Sequence, residues 1–124
     1  DADGDGICLR GVGGHTVKKN TVLKAGNVAI RVDSGSNDNE IDGNSCTQPD
    51  GDAMDVESDN NDILNNKATK AGENGFEIDG TNNRIKGNKA SKSGNFGLSD
   101  TAGGNTYEKN KFDSVDPKGF DPED

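Results

Sequence analysis

The chain has 124 residues, of which 27% are hydrophobic and 30% are charged, and its formal net charge is −9. Low apolar content with high net charge is typical of disordered chains, because too little apolar surface is available to offset the chain entropy lost on folding. The acidic balance disfavours nucleic acid and anionic membranes as partners, and no apolar run reaches the roughly 18 residues of a membrane span.

Asparagine recurs at a nearly constant interval along most of the chain. Gaps of 24, 22, 22 and 22 residues separate the members of this column, which are Asn20, Asn44, Asn66, Asn88 and Asn110. A second polar column, five residues earlier, consists of His15, Asn39, Asn61, Asn83 and Asn105. A repeat allows folding in spite of the composition, because each unit of a stacked array needs few inward residues and its neighbours complete the core. Asparagine tolerates the left-handed backbone of a tight corner, and its amide can hydrogen-bond the same amide one coil away.

Taken in chain order, each repeat unit contains three short segments in which apolar and polar residues alternate. The first segment, residues 6–9, ends an incomplete unit. The apolar columns of the following units are Val17, Ile41, Ile63, Ile85 and Tyr107; Val22, Cys46, Ala68, Ala90 and Phe112; Ile30, Met54, Phe76, Leu98 and Phe120; and Val32, Val56 and Ile78, where Asp100 breaks the pattern. Alternation with period two predicts strands. Three short strands per unit predict an all-β parallel solenoid of about five coils, with matching residues stacked about 4.8 Å apart.

We expect one domain with an irregular segment at each end. Residues 1–14 form a partial first coil, 15–112 the regular coils and 113–124 a closing segment, in which Pro117 and Pro122 stop strand pairing. The first coil has no cap. This predicts either that the chain is the C-terminal part of a longer protein or that it associates end to end with another copy.

Several strings resemble a known family of β-helices. N-x-I-x-G-N occurs at 39–44 and 83–88, and G-F-E-I occurs at 75–78. These strings resemble right-handed parallel β-helix proteins of the pectate-lyase-like superfamily, in particular the NosD-like or parallel β-helix repeat group. The resemblance implies a right-handed, single-stranded parallel β-helix with the main asparagine column at the corner between its second and third strands. It also implies that polysaccharide binds along the outer face of the first sheet.

The outer face of the first predicted sheet is strongly acidic. Its candidate carbohydrate-binding residues are Arg31, Asp33, Asp55, Glu57, Glu77 and Asp79. Carboxylates stacked about 4.8 Å apart either have raised pKa values or recruit a cation. One interpretation, which the resemblance implies, is a Ca²⁺ site that bridges an acidic sugar. A second is a carboxylate pair for glycoside hydrolysis, whose retaining geometry needs about 5–5.5 Å between carboxyl groups. A third is a solvated acidic face on which Arg31 screens Asp55. Arg31 is also the sole candidate for the basic residue of a lyase.

The first residues resemble the front half of a calcium-binding loop. Asp1, Asp3 and Asp5 alternate ahead of Gly6, as in the pattern D-x-D-x-D-G, whose aspartates supply hard oxygen ligands. Val12 stands where such a loop needs a bidentate glutamate. Calcium is therefore the candidate cofactor, and an acidic turn leading into the first strand is the alternative.

These features favour a carbohydrate-binding or structural module of a secreted or cell-surface protein, periplasmic in a Gram-negative bacterium. The alternatives are a fragment of a Ca²⁺-dependent polysaccharide lyase or of a glycoside hydrolase acting on acidic polysaccharide, and a fibre or assembly tip. Against an enzyme, the sequence offers no convincing acid–base pair and no basic cluster, so no catalytic residue is assigned. Polysaccharide is the expected partner, and neither nucleic acid nor a membrane is expected.

Overall fold

All regular secondary structure in the described part of the chain is β-strand. The computed structural model describes residues 4–116, which contain sixteen short strands and no helix. In chain order the strands are β1 (Ile7–Leu9), β2 (Thr16–Lys18), β3 (Thr21–Leu23), β4 (Ile30–Val32), β5 (Glu40–Asp42), β6 (Ser45–Thr47), β7 (Met54–Val56), β8 (Asp62–Leu64), β9 (Lys67–Thr69), β10 (Phe76–Ile78), β11 (Arg84–Lys86), β12 (Lys89–Ser91), β13 (Leu98–Asp100), β14 (Thr106–Glu108), β15 (Lys111–Phe112) and β16 (Val115–Asp116). Within these residues nothing forms a helix of the length and hydropathy that crossing a membrane requires.

The strands assemble into three parallel sheets. The first sheet has the order β1-β4-β7-β10-β13-β16, the second β14-β11-β8-β5-β2 and the third β15-β12-β9-β6-β3. Each strand pairs with the strand one coil away, so that Ile41 lies between Val17 and Ile63 in one register. The predicted solenoid of about five coils with three strands per coil is therefore confirmed.

The inward positions of the three sheets form one apolar core. Ile41, Phe76 and Leu98 are completely buried, whereas Val22 and Phe112, in the outermost coils of the third sheet, are only partly buried. Stacking explains how a chain that is only 27% hydrophobic can fold. Each coil supplies a few apolar side chains, and the coils on both sides cover them.

Both asparagine columns form ladders of side-chain amides. Asn44 Nδ2 donates to Asn66 Oδ1 at 3.0 Å, and Asn66 Nδ2 donates to Asn88 Oδ1 at 3.0 Å. Asn66 Oδ1 also accepts the backbone N–H of Asn44 at 2.9 Å. The second column repeats this pattern, with Asn39 Nδ2 donating to Asn61 Oδ1 at 2.9 Å. The predicted amide ladder is confirmed, and the main column lies between strands of the second and third sheets, as the resemblance implies.

The left-handed corners lie one residue before the ladder asparagines. In the main column these corner residues are Lys19, Gly43, Asn65, Gly87 and Lys109, with φ between 54° and 73°. The prediction that the ladder asparagines themselves occupy the left-handed conformation is therefore wrong, because their buried amides serve the ladder while the preceding residue makes the turn. Each of the two coils between Asn44 and Asn88 has three residues with positive φ. A lysine in this conformation costs about 1 kcal/mol in backbone strain.

The last coil departs from the predicted register. Leu98 pairs with Val115, where the column predicted Phe120. A shorter turn, in which Asp113 accepts the Ser93 N–H at 2.9 Å, returns the chain to the first sheet early. Outside the described residues lie Phe120, Pro117 and Pro122.

Asp100 occupies an inward position that is apolar in the preceding coils. Its carboxylate accepts hydrogen bonds from the Tyr107 hydroxyl, from Asn105 Nδ2 at 3.0 Å and from the Ala102 N–H at 3.1 Å. Tyr107 is also the exception in its own column of valine and isoleucine. The two departures from the repeat therefore compensate each other, since a buried carboxylate is tolerated when its oxygens are hydrogen-bonded.

Candidate functional site

The first sheet holds the predicted outward residues in two rows. Arg31, Asp55, Glu77 and Ser99 are in register across β4, β7, β10 and β13. The second row, two residues further along each strand segment, consists of Asp33, Glu57 and Asp79. Asp55 and Ser99 are only 7% and 5% exposed, although both were predicted to face solvent. The outer face is therefore a partly desolvated surface on which charges interact strongly.

Arg31 is held by three carboxylates. Its Nε lies 2.7 Å from Asp5 Oδ2, and its Nη1 lies 3.2 Å from Asp55 Oδ2 and 3.4 Å from Glu57 Oε2. The hydrogen bond to Asp5 and the nearby negative charges raise the pKa of Arg31 above its usual value. An arginine that is paired in this way stays protonated, which disfavours it as the base of a lyase.

Asp33 belongs to a different contact. Arg10 Nε lies 3.0 Å from Asp33 Oδ2, and the Arg10 side chain is 73% exposed. An exposed pair of this kind contributes little to stability. Of the six candidate binding residues, Asp33 is thus turned toward the first coil and away from the carboxylates of β7 and β10.

Asp55 is the most constrained carboxylate on this face. Burial and, next, the negative charge of Glu57 raise its pKa to about 8, although Arg31 acts in the opposite direction. Arg31 occupies one of its oxygens, Oδ2. The other, Oδ1, is buried and has no hydrogen-bond partner among residues 4–116. A buried oxygen without a donor is rare in folded proteins and calls for a ligand or a proton.

Asp55, Glu57 and Asp79 together form what we call the acidic cluster. One carboxylate oxygen from each residue lies within 4.8 Å of the other two. Calcium binds carboxylate oxygens at about 2.3–2.6 Å, so oxygens on opposite sides of the ion are about 4.6–5.2 Å apart. Both the donor type and the spacing therefore fit Ca²⁺, and the cluster leaves coordination positions for other oxygen ligands.

Glu77 lies beside the acidic cluster and has a hydrogen-bond donor of its own. Asn74 Nδ2 donates to Glu77 Oε1 at 2.6 Å, and the Asn74 N–H donates to Asp52 Oδ1 at 2.9 Å. Burial, followed by the charges of Asp79 and Asp52, raises the pKa of Glu77 to about 7. Sequence reasoning missed Asp52 and Asn74, although their spacing of 22 residues would have revealed that they share a column.

The calcium-loop prediction falls partly outside the described residues. Asp1 and Asp3 are not described. Asp5 accepts hydrogen bonds from Arg31 Nε and from the Val28 N–H at 3.0 Å. Partial burial acts to raise the pKa of Asp5, but these two bonds outweigh it and lower the pKa. Asp5 therefore anchors Arg31 and the first coil.

A second charged surface lies on the third sheet. On and just after β9, β12 and β15 its exposed lysines are Lys67, Lys70, Lys89, Lys92 and Lys111, which we call the basic face. The absence of a basic cluster counted only against an enzyme in the sequence reasoning, which did not consider this sheet, where lysine is in local excess although the net charge is negative. The signal was present in the sequence, since Lys67, Lys89 and Lys111 are spaced by 22 residues.

The stacked register and the three sheets define this chain as a parallel β-solenoid. The family model described as "Right handed beta helix region" matches residues 1–121, and the chain belongs to that family. No curated protein and no solved structure matches the chain significantly. Family membership establishes the architecture and the predicted handedness, and the ligand has to be argued from the site itself.

Proposed function

We propose that this chain is a non-catalytic carbohydrate-binding β-helix module, and that the outer face of its first sheet binds acidic polysaccharide through a divalent cation held by the acidic cluster. The observation that carries the proposal is the buried, unpartnered Oδ1 of Asp55 beside two further carboxylates. Such a protein would work where polysaccharide is found, in the secreted or cell-surface location expected from the sequence.

Charge explains why a cation is needed. Asp55, Glu57 and Asp79 carry three negative charges when ionised, and Arg31 offsets part of them while also contacting Asp5. A carboxylate of an acidic sugar would be repelled by this surface. Calcium takes 6–8 oxygen ligands, so an ion bound to three protein carboxylates can still accept oxygens from a sugar and from water. The cation thus turns a repulsive surface into a binding one.

The pKa values favour binding over glycoside hydrolysis. A retaining hydrolase needs one ionised carboxylate and one protonated acid, and enzymes obtain them by shifting the two pKa values apart. On this face the pKa values of Asp55 and Glu77 are both raised, to about 8 and about 7. Both shifts are upward, so the two pKa values are not moved apart in the way that a retaining hydrolase requires.

The proposal is tested by binding of polygalacturonate at about 0.5 M NaCl and about pH 9, where attraction between exposed charges is screened and Asp55 is ionised. The test variant combines Asp55→Asn, Glu57→Gln and Asp79→Asn. The control combines Asp38→Asn, Asp50→Asn and Asp62→Asn, three exposed aspartates outside the cluster, so that both variants lose three negative charges.

We expect wild-type binding to be at least about tenfold tighter with Ca²⁺ than with EDTA, which corresponds to about 1.4 kcal/mol. The test variant should lose this difference, and the control should keep it. Equal binding of wild type and test variant in Ca²⁺ would refute the proposal. Neutral dextran should not bind in either condition.

A further inference from the structure

The basic face is built by the register of the third sheet. Lys67, Lys89 and Lys111 are direct partners across β9, β12 and β15. They therefore form a row of ammonium-bearing side chains with a spacing of about 4.8 Å along the solenoid. Lys70 and Lys92 occupy the corners that follow β9 and β12, and extend the same surface.

Among residues 4–116, no carboxylate pairs with the lysines of this face. None of the five forms an ion pair within residues 4–116, although the whole chain has 23 acidic residues. On the second sheet, by contrast, Lys18 lies 3.5 Å from Glu40 and Lys86 lies 3.9 Å from Glu108. Like charges stacked directly opposite each other are unfavourable. In the described part of the chain, the third sheet thus concentrates positive charge that no ion pair offsets.

We infer that the basic face is a second binding surface, for a linear anionic polysaccharide lying along the solenoid axis. The three lysines of this row span about 10 Å at the strand spacing, which is longer than a single small anion and suits a polymer with repeated charges. Thr69 and Ser91 lie on the same face, two residues after Lys67 and Lys89, and are half-buried. Their hydroxyls can donate hydrogen bonds to carboxylate or sulfate oxygens, which strengthens such contacts.

The observations favour a polysaccharide over the other polyanions. Arginine and exposed aromatic rings, which nucleic-acid-binding surfaces use for phosphate forks and base stacking, do not occur on the described part of this face. The acidic cluster of a second copy is a poor partner, since Arg31 already contacts Asp55 and Glu57 and two copies of net charge −9 repel each other. Binding at the basic face needs no metal ion, so it can be tested separately from binding at the cation site.

The inference is tested at low ionic strength in EDTA, where a cation-dependent site cannot contribute. The test variant combines Lys67→Ala, Lys89→Ala and Lys111→Ala. The control combines Lys18→Ala, Arg84→Ala and Lys86→Ala, which removes the same charge from the second sheet. Polygalacturonate and dextran sulfate serve as carboxylated and sulfated probes, with a DNA duplex as a competing polyanion. Circular dichroism melts establish that both variants fold.

We expect wild type to bind at least one of the two polysaccharides, with an affinity that falls steeply as salt is added. The test variant should bind at least about tenfold more weakly and with a shallower salt dependence, while the control stays within about twofold of wild type. Preference between the two probes identifies carboxylate or sulfate as the recognised group. Equal weakening of both variants, tighter binding of DNA, or lysine-dependent self-association in sedimentation would each overturn the inference.

Discussion

Truncation of a central ladder asparagine tests whether the amide ladder stabilises the fold. Asn66 is 1% exposed and makes four hydrogen bonds through its side chain. Its Nδ2 donates to Ile41 O at 2.9 Å and to Asn88 Oδ1 at 3.0 Å, while its Oδ1 accepts from the N–H and the Nδ2 of Asn44. Asn66→Ala leaves the buried Asn44 N–H without its acceptor and weakens the other contacts.

The expected cost follows from these bonds. A buried donor left unpaired costs about 1–3 kcal/mol, and each further hydrogen bond lost costs about 1 kcal/mol. We therefore expect Asn66→Ala to lower the free energy of unfolding by about 3–5 kcal/mol. The assay is urea denaturation at neutral pH followed by far-UV circular dichroism, with the free energy taken by linear extrapolation.

Asn20→Ala is the matched control, since Asn20 is the exposed first member of the same column. Its side chain donates to Asn44 Oδ1 at 3.1 Å, and its own backbone N–H still reaches that oxygen after truncation. The expected cost is about 1 kcal/mol. Equal costs for the two variants, or a cost below about 1 kcal/mol for Asn66→Ala, would mean that the amide ladder does not contribute to the stability of the fold.

Three further variants or conditions test other parts of the structure. Lys19→Gly should raise the free energy of unfolding by about 0.5–1 kcal/mol, because it relieves a left-handed lysine, and an unchanged urea midpoint would contradict this. Tyr107→Phe should lower it by about 1–3 kcal/mol in the same assay by removing a hydrogen bond to Asp100, and a neutral effect would mean that the bond is not needed. The free energy of unfolding should fall between about pH 4 and about pH 8, because the folded protein retains protons on Asp55 and Glu77 that the unfolded chain releases near pH 4. Asp55→Asn should flatten this pH dependence, and an unaltered slope would show that Asp55 does not titrate as described.

Much of the fold follows from the repeat alone. A spacing of 22 residues fixes which positions stack, so the inward column of Ile41 and Ile63 and the outward column of Arg31, Asp55 and Glu77 could be assigned from the sequence. A parallel register leaves no freedom once one column is known, because a slip of one residue would turn every apolar side chain outward.

The candidate site could be located but not described in the same way. Spacing places Arg31 beside Asp55, but it does not reveal that Asp5, from an incomplete coil, would bind the other side of the guanidinium. The spacing also does not reveal that Asp55, although it points outward, is almost buried. Burial depends on how the long side chains of neighbouring residues fold over the sheet. The early return of the chain at Val115 depends on the local turn at Asp113, where the repeat has already ended.

Direct titration of Ca²⁺ by isothermal calorimetry is the most immediate test of the acidic cluster as a cation site. The measurement is best made at about pH 9, where Asp55 is ionised in the folded protein. We expect wild type to bind one Ca²⁺ per chain with a Kd of about 0.1–1 mM, as in extracellular modules. The variant that combines Asp55→Asn, Glu57→Gln and Asp79→Asn should give no binding isotherm. An absence of binding by wild type, or binding by this variant with the wild-type affinity, would contradict the assignment.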